Sequence, residues 1–264
     1  MLLTDEKLTG SKKKWFFLPK EKYYLLTRCL LMGVSSVINP ILWLMIFGGG
    51  LGASVSISGV NYKSFIYPGI LTMSVLFTSV FFGVYIIWDR KIDFLKEVLV
   101  APVSRTTIFL GKVIGGTTDS MIQVAILLAV GFVFTKIGFI PGLKMTVMST
   151  LASLLILFVT TAGLVSLGLI IGSQMESPEG FQFIGSLVIF PLFLLSGALF
   201  PINNLPAWLN VFIRLNPLAY TVDGLRGTIL GMSQFHVAFD LGVVSVFSLL
   251  MIAIGTYAFE KMKV

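Results

Sequence analysis

The sequence predicts an all-α integral membrane protein with six transmembrane helices in one transmembrane domain covering residues 1–264. Of the 264 residues, 56% are hydrophobic and 12% are charged, whereas soluble domains carry about 25% charged residues. Several apolar stretches lie between Leu25 and Phe259, and each is close to or above the roughly 20 residues that a helix needs to cross a bilayer. None alternates apolar and polar residues throughout, as barrel strands do.

The N-terminal segment 1–24 mixes lysines with aromatic residues. Such a composition is typical of a segment at the membrane surface, so we predict a cytoplasmic tail followed by an interfacial helix. The first span follows at about 25–47, with a kink at Asn39-Pro40 that neighbouring helices can accommodate. Residues 48–64 are rich in glycine and serine and are predicted to form an outer loop.

The lengths of the apolar stretches predict five more spans, and the segments that join them alternate between the two sides of the membrane. Between the second and third spans lies a polar inner segment, residues 89–106, and short turns at 136–144 and 173–180 join the next spans. The predicted spans are 65–88, 107–135, 145–172, 181–200 and 239–259.

The basic residues agree with this topology. Of 19 lysines and arginines, 12 lie in the N-terminal tail, the inner segment and the C-terminal residues, as the positive-inside rule requires when both termini are cytoplasmic. The net charge of +7 therefore reflects membrane orientation, and no nucleic-acid partner is expected. Because the chain has one cysteine, Cys29, and one histidine, His236, neither an intrachain disulfide nor a metal site is expected.

The outer segment 201–238 is too apolar for a loop and too interrupted for a span, so we predict a re-entrant helical hairpin. It opens at Pro201, and Pro206 suits the first turn of one helix. Asn216-Pro217 ends that helix and begins another. Asp223 and Arg226 are three residues apart, a spacing that lets them pair on the second helix.

The inner segment 89–106 predicts a short amphipathic helix. Ile92, Leu95 and Leu99 recur at three- and four-residue spacing and form one apolar edge, while Pro102 ends the helix. Two interpretations remain open from the residues alone. The helix rests on the membrane surface, or it fits a groove in a soluble partner and passes that partner's motion to the spans.

Four sequence pieces resemble the membrane subunits of type-2 ABC exporters, a family that includes drug, nodulation-factor and polysaccharide exporters. The pieces are FLKEVLVAPVSR, GSQMESPEGFQ, IFPLFLLSGALFPINNLPAWL and RLNPLAYTVDGLRG, and together they cover most of residues 88–232. The N-terminal third resembles the family only in hydropathy. The resemblance implies a coupling helix that contacts an ATP-binding cassette subunit through Ile92, Phe94, Leu95, Lys96, Glu97, Leu99, Pro102 and Arg105.

The resemblance also implies that two copies of this chain pair, with two ATP-binding subunits beneath them. The sequence contains no G-x-x-x-x-G-K-[ST] phosphate loop, and its one Gly-Lys pair, Gly111-Lys112, lies in an apolar stretch. No catalytic or cofactor-binding residues are therefore expected in this chain, and ATP and magnesium belong to the partner subunit.

In the third span, Lys112, Asp119 and Gln123 lie at i, i+7 and i+11 and so share one helix face. A charge near mid-membrane usually faces protein or water. These residues either line a transport path, or Asp119 is simply hydrogen-bonded to nearby serines or threonines. The expected function is ATP-driven export of an amphipathic lipid, lipid-linked glycan or hydrophobic drug across the cytoplasmic membrane of a bacterium or archaeon. The main alternative is a stand-alone channel or secondary transporter that uses Asp119. Composition also leaves open a third function, a membrane scaffold or sensor.

Overall fold

The computed structural model describes residues 37–52, 56–57, 59–92, 104–201 and 206–261. The predicted N-terminal tail and interfacial helix, the first half of span one, and most of the inner segment lie outside these ranges. We call the end of the bundle that bears residues 92 and 104 the inner end, following the sequence prediction, and the opposite end the outer end.

The described residues form nine helices and one small hairpin. Helix α1, Val37–Gly48, has a π-helical turn at Leu44–Gly48 and ends in the further turn Gly49–Gly52. Strands β1, Ser56–Ile57, and β2, Val60–Asn61, pair antiparallel. The other helices are α2 Tyr62–Phe81, α3 Val84–Lys91, α4 Arg105–Lys136, α5 Val147–Gln174, α6 Pro178–Leu194, α7 Ala207–Leu215, α8 Pro217–Ile229 and α9 Val237–Glu260.

Within the described ranges, four helical segments are long and apolar enough to cross a membrane: Tyr62–Lys91, which is α2 continued by α3, and helices α4, α5 and α9. Helices α1 and α6 are shorter apolar helices. The protein is therefore an α-helical membrane protein, as predicted.

Side-chain caps determine where several helices begin. The Asn61 side chain accepts a hydrogen bond from the Lys63 backbone N–H at 2.9 Å, and Ser177 accepts one from Gly180 at 3.0 Å. Thr146 and Ser149 form a reciprocal capping box at the start of α5. These side chains satisfy backbone N–H groups that have no partner inside the helix.

Helix α5 lies at the centre of the bundle and packs against α2, α3, α4, α8 and α9. Its glycines permit close approach. A side chain at Gly168 would overlap the Val80 carbonyl oxygen, and one at Gly172 would overlap that of Gly83. A side chain at Gly163 would meet Ser248 on α9 at 2.6 Å. These glycines therefore serve close packing between helices.

Large apolar side chains also cover the outside of the bundle. Ile46, Ile114, Phe183 and Leu249 are each about two-thirds exposed. A water-soluble protein would bury such side chains, whereas hydrocarbon is a favourable environment for them.

Three structural details differ from the sequence predictions. The predicted loop 48–64 contains the last turn of α1 and the β hairpin, whose reversal uses Gly59 at φ 79°. The second span is interrupted at Phe82 and Gly83. The fifth helix ends at Leu194 instead of continuing to Phe200, because the chain turns through Gly197 at φ 70°.

Candidate functional site

Two short stretches flank residues 93–103, which lie outside the described residues. We call residues 89–92 the first root and residues 104–106 the second root. Of the predicted coupling residues, only Ile92 and Arg105 are described. Phe94, Leu95, Lys96, Glu97, Leu99 and Pro102 lie outside the described residues. The Ile92 side chain is 68% exposed.

The first root is bound to two neighbouring elements. Asp89 forms an ion pair with Lys112 of α4. The Arg90 guanidinium donates to the backbone oxygens of Ser173, at 3.1 Å, and Met175, at 3.3 Å. Since these oxygens belong to the C-terminal end of α5, Arg90 also complements the negative end of the helix dipole.

The second root is bound to a different helix. The Ser104 side chain caps α4 by accepting from the Thr107 N–H at 3.2 Å. Arg105 Nη1 donates to the Glu260 backbone oxygen at 3.1 Å, and the Thr106 hydroxyl donates to Glu260 Oε1 at 3.0 Å. The start of α4 is thereby joined to the end of α9.

A cavity of about 230 Å³ lies between α1, α2 and α4. Its polar groups include Gln123, whose Oε1 accepts a hydrogen bond from the Thr78 hydroxyl, and Asn39, which is exposed. The rest of the wall is mainly apolar. The lining residues are Asn39, Pro40, Met73, Ser74, Phe77, Thr78, Phe81 and Gln123.

The three candidate pathway residues have different environments. Lys112 is held at the inner end by Asp89, and Gln123 is a buried part of the cavity wall. Asp119 is exposed on the outside of α4 and has no hydrogen-bond partner among the described residues. Among the described residues no serine or threonine hydroxyl bonds to Asp119, so its interpretation as a hydrogen-bonded aspartate gains no support from these contacts.

At the outer end, the two helices of the predicted hairpin are present as α7 and α8. Pro206 precedes the first turn of α7, and Pro217 begins α8. Asn216 caps α8 by accepting from the Leu218 N–H at 3.0 Å, and its amide donates to the Leu192 oxygen at 2.7 Å. Pro201 lies at the end of a described range, half-buried and outside any helix.

Asp223 and Arg226 do not form the ion pair predicted from their spacing. The Asp223 carboxylate accepts hydrogen bonds from the backbone N–H groups of Gln234, at 2.9 and 3.0 Å, and Phe235, at 3.0 Å. It thereby fixes the loop between α8 and α9. Backbone N–H groups compete well for a carboxylate because they are already held in place.

Arg226 is buried and points to the opposite side. Its Nη2 donates to the backbone oxygens of Gly197 at 2.7 Å and Ala198 at 3.3 Å, and its guanidinium lies 3.8 Å from the centre of the Phe65 ring. Burial lowers the pKa of Arg226 to about 10, with Asp223 and then Tyr62 opposing the shift. The group is still a cation at neutral pH, stabilised by carbonyl oxygens and by the aromatic face.

Asp89, Thr78 and Phe77 were not predicted from the sequence as site residues, and Asn39 was assigned only to a kink. A polar residue inside an apolar span is itself a signal, and this signal was available for Asn39 and Thr78. Phe77 carries no such signal, because phenylalanine is common throughout the chain.

Comparisons with known proteins agree with these structural features. Residues 24–230 match the model of the ABC-2 type transporter family. The chain is 34% identical to the inner membrane transport permease YadH of Escherichia coli K12, over 81% of both proteins. It is 32% identical to a putative transport permease, ycf38, of Cyanophora paradoxa, over 80% of this chain and 72% of the relative.

A third relative, nodulation protein J of Rhizobium leguminosarum bv. viciae, is 24% identical over 92% of both chains. The family match covers most of the chain and includes α1 to α8, the two roots and the outer helices. The chain therefore belongs to the ABC-2 type transporter family, and it is a transport permease whose helices span a membrane.

Proposed function

We propose that this permease is the membrane subunit of an ATP-driven exporter of an amphipathic substrate. Two copies pair in the cytoplasmic membrane of a bacterium or archaeon, with six spans each and both termini in the cytoplasm. Two separate ATP-binding cassette subunits dock beneath them and bind ATP and magnesium. The membrane lipid contacts the exposed apolar side chains.

The observation that carries this proposal is the attachment of the two roots. The first root is bound to α4 through Asp89 and to the end of α5 through Arg90. The second root is bound to the end of α9 through Arg105. A displacement of residues 93–103 by a docked ATPase would therefore move the inner ends of several spans together.

The cavity between α1, α2 and α4 supports an amphipathic substrate. Met73, Phe77 and Phe81 offer an apolar wall, while Asn39 and Gln123 offer amide groups. Ligand sites of this kind combine a mainly apolar lining with a few polar groups that orient the ligand. A substrate with an apolar tail and a polar head matches both parts.

The position of Asp119 indicates that the exposed face of α4 contacts protein or water and not lipid. Asp119 lies 14 residues after Arg105, which is about 21 Å along the helix, and an aspartate at that depth is costly in contact with lipid. We propose that this face of α4 contacts the second copy or the transport path. The alternative function, a channel or secondary transporter that uses Asp119, predicts instead that the chain transports its substrate without an ATPase.

Two isoleucines of equal exposure provide a matched test of coupling. Ile92 at the inner end and Ile137 at the outer end are both 68% exposed. We expect Ile92→Asp, and likewise Leu95→Arg or Glu97→Arg, to lower substrate-stimulated ATP turnover several-fold when the chain is co-purified with its ATPase in lipid. Ile137→Asp should leave turnover unchanged. Equal effects at Ile92 and Ile137 would contradict docking at the inner segment.

The substrate site is tested by the binding of a fluorescent amphiphile to the same complex. Phe77→Ala and Gln123→Leu each remove one kind of wall contact and should weaken binding about 5- to 30-fold, since each contact is worth roughly 1–2 kcal/mol. Substrate transport by the chain without any ATPase, abolished by Asp119→Asn, would instead establish the alternative function.

A further inference from the structure

Asp240 lies in the first helical turns of α9, where this helix packs against α5 and α8. Its side chain is fully buried, and neither carboxylate oxygen has a hydrogen-bond partner among the described residues. A methyl group at Gly224 of α8 would lie 3.4 Å from Asp240 Cβ, 3.6 Å from Asp240 Oδ2 and 3.1 Å from Cδ1 of Ile156 on α5. The carboxyl group is therefore enclosed between three helices.

The charged neighbour on α8 is another acid. Asp223 repels a negative charge on Asp240, and its side-chain oxygens accept hydrogen bonds from the backbone N–H groups of Gln234 and Phe235. Arg226, the nearby cation on α8, directs its guanidinium to backbone oxygens and to the Phe65 ring instead.

The other elements around Asp240 offer no compensating cation within the described residues. Helix α5 contains no titratable side chain between Val147 and Gln174. At the outer end of α4, Lys136 lies over the Phe132 ring and is exposed. Lys144, which precedes α5, is also exposed and extends its ammonium group towards Gly231 in the α8–α9 loop. On α9 itself, His236 precedes the first turn and is also exposed.

We propose that Asp240 is a proton-binding site, at which the folded chain holds a neutral carboxylic acid at the α8–α9 contact. A buried, unpaired carboxylate is strongly disfavoured, and Asp223 would add repulsion. The positive end of α9 favours an anion, but the loss of hydration is the larger effect. We assign the site to a proton and not to a metal ion, because no group of three or more His, Cys, Asp or Glu side chains that could hold a metal occurs among the described residues.

The bound proton has a structural consequence. If Asp240 ionises, a second negative charge joins that of Asp223 near the loop between α8 and α9, and the outer ends of these helices should separate. The site therefore makes the outer end of the permease sensitive to pH, with alkaline conditions favouring separation. This inference depends only on the packing of α5, α8 and α9 and stands apart from the proposed substrate and ATPase partner.

Infrared spectroscopy tests the protonation state directly. The full-length chain in lipid vesicles at neutral pH should show a protonated-carboxyl C=O band that shifts when aspartates carry ¹³C. This band should disappear in Asp240→Asn and persist in Asp119→Asn, the control. Loss of the band in Asp119→Asn alone, or its absence from the labelled wild type, would overturn the proposal. The labelled wild type gives this answer even if a variant fails to fold.

Thermal unfolding across pH gives an independent measurement. Because the folded state binds a proton that an unfolded aspartate releases above about pH 4, the wild type should lose stability as pH rises from this value. An asparagine amide mimics the neutral acid, so Asp240→Asn should melt at a higher temperature than the wild type at pH 8 and depend less on pH. Parallel pH profiles, or a wild-type melting temperature that rises with sodium and not with potassium, would refute a proton site.

Discussion

The replacement Gly168→Ala tests whether backbone contact between α5 and the α2–α3 junction organises the bundle. A Cβ atom at position 168 would overlap the Val80 carbonyl oxygen and lie 2.9 Å from Val80 Cα. A second contact of this kind, between Gly172 and the Gly83 carbonyl oxygen, lies one turn further along α5. Because the obstructing atoms belong to the backbone of another helix, no side-chain rotation can relieve the overlap.

Two opposing effects set the expected magnitude. Alanine in place of glycine favours a helix by about 1 kcal/mol, whereas overpacking a close helix contact costs about 1–3 kcal/mol. With backbone on both sides, we expect the upper part of this cost and a net loss of about 1–2 kcal/mol. Gly111→Ala is the matched control, because Gly111 is exposed on α4 with no atom within 4 Å of the added methyl group.

The assay is thermal unfolding of the full-length chain and both variants in the same detergent or lipid. Gly168→Ala should melt below the wild type, and Gly111→Ala at or above it. The same substitution would then lower the melting temperature at position 168 and leave it unchanged or raise it at position 111. A Gly168→Ala variant that melts together with Gly111→Ala would refute the close crossing.

Three further experiments test individual contacts. Arg226→Lys keeps the charge but loses the planar contact with Phe65, so we expect a loss of about 1–3 kcal/mol in thermal unfolding; a change below about 0.5 kcal/mol would contradict this contact. Asp89→Asn and Lys112→Met should be coupled by about 1 kcal/mol in a double-mutant cycle, since their side chains are 20% and 19% exposed and only partly screened by solvent; additive effects would exclude the pair. Asn216→Ala should cost about 1–2 kcal/mol and speed amide exchange in the first turn of α8, and unchanged exchange would argue against the cap.

Sequence patterns predicted the helices because length, hydropathy and capping are local properties. The boundaries of α4, α5 and α9 lie within about two residues of the predicted spans. Asn216-Pro217 separates two outer helices as predicted, since proline suits a first turn and asparagine caps the helix after it.

Contacts between helices were less predictable. The spacing of Asp223 and Arg226 permits an ion pair, but Asp223 instead binds a loop that follows α8, and Arg226 binds the turn that follows α6. Asp240 resembled an ordinary acidic residue at a helix start, a common and favourable position. Its complete burial and its contact with Gly224 of α8 reveal that this carboxyl group is enclosed.

Helices α5 and α9 link the two roots at the inner end to the contacts at the outer end. Helix α9 has Asp240 in its first turns and ends at Glu260, which binds Arg105. Helix α5 ends at the carbonyl groups bound by Arg90, and its outer half is joined to α8 through the Ser153 and Thr228 hydroxyls, 2.9 Å apart. At 1.5 Å per residue these helices are about 36 and 42 Å long. Because an intact α-helix transmits displacement along its axis with little compression, a shift of either root should reach the packing around α8, which is where we place the proton.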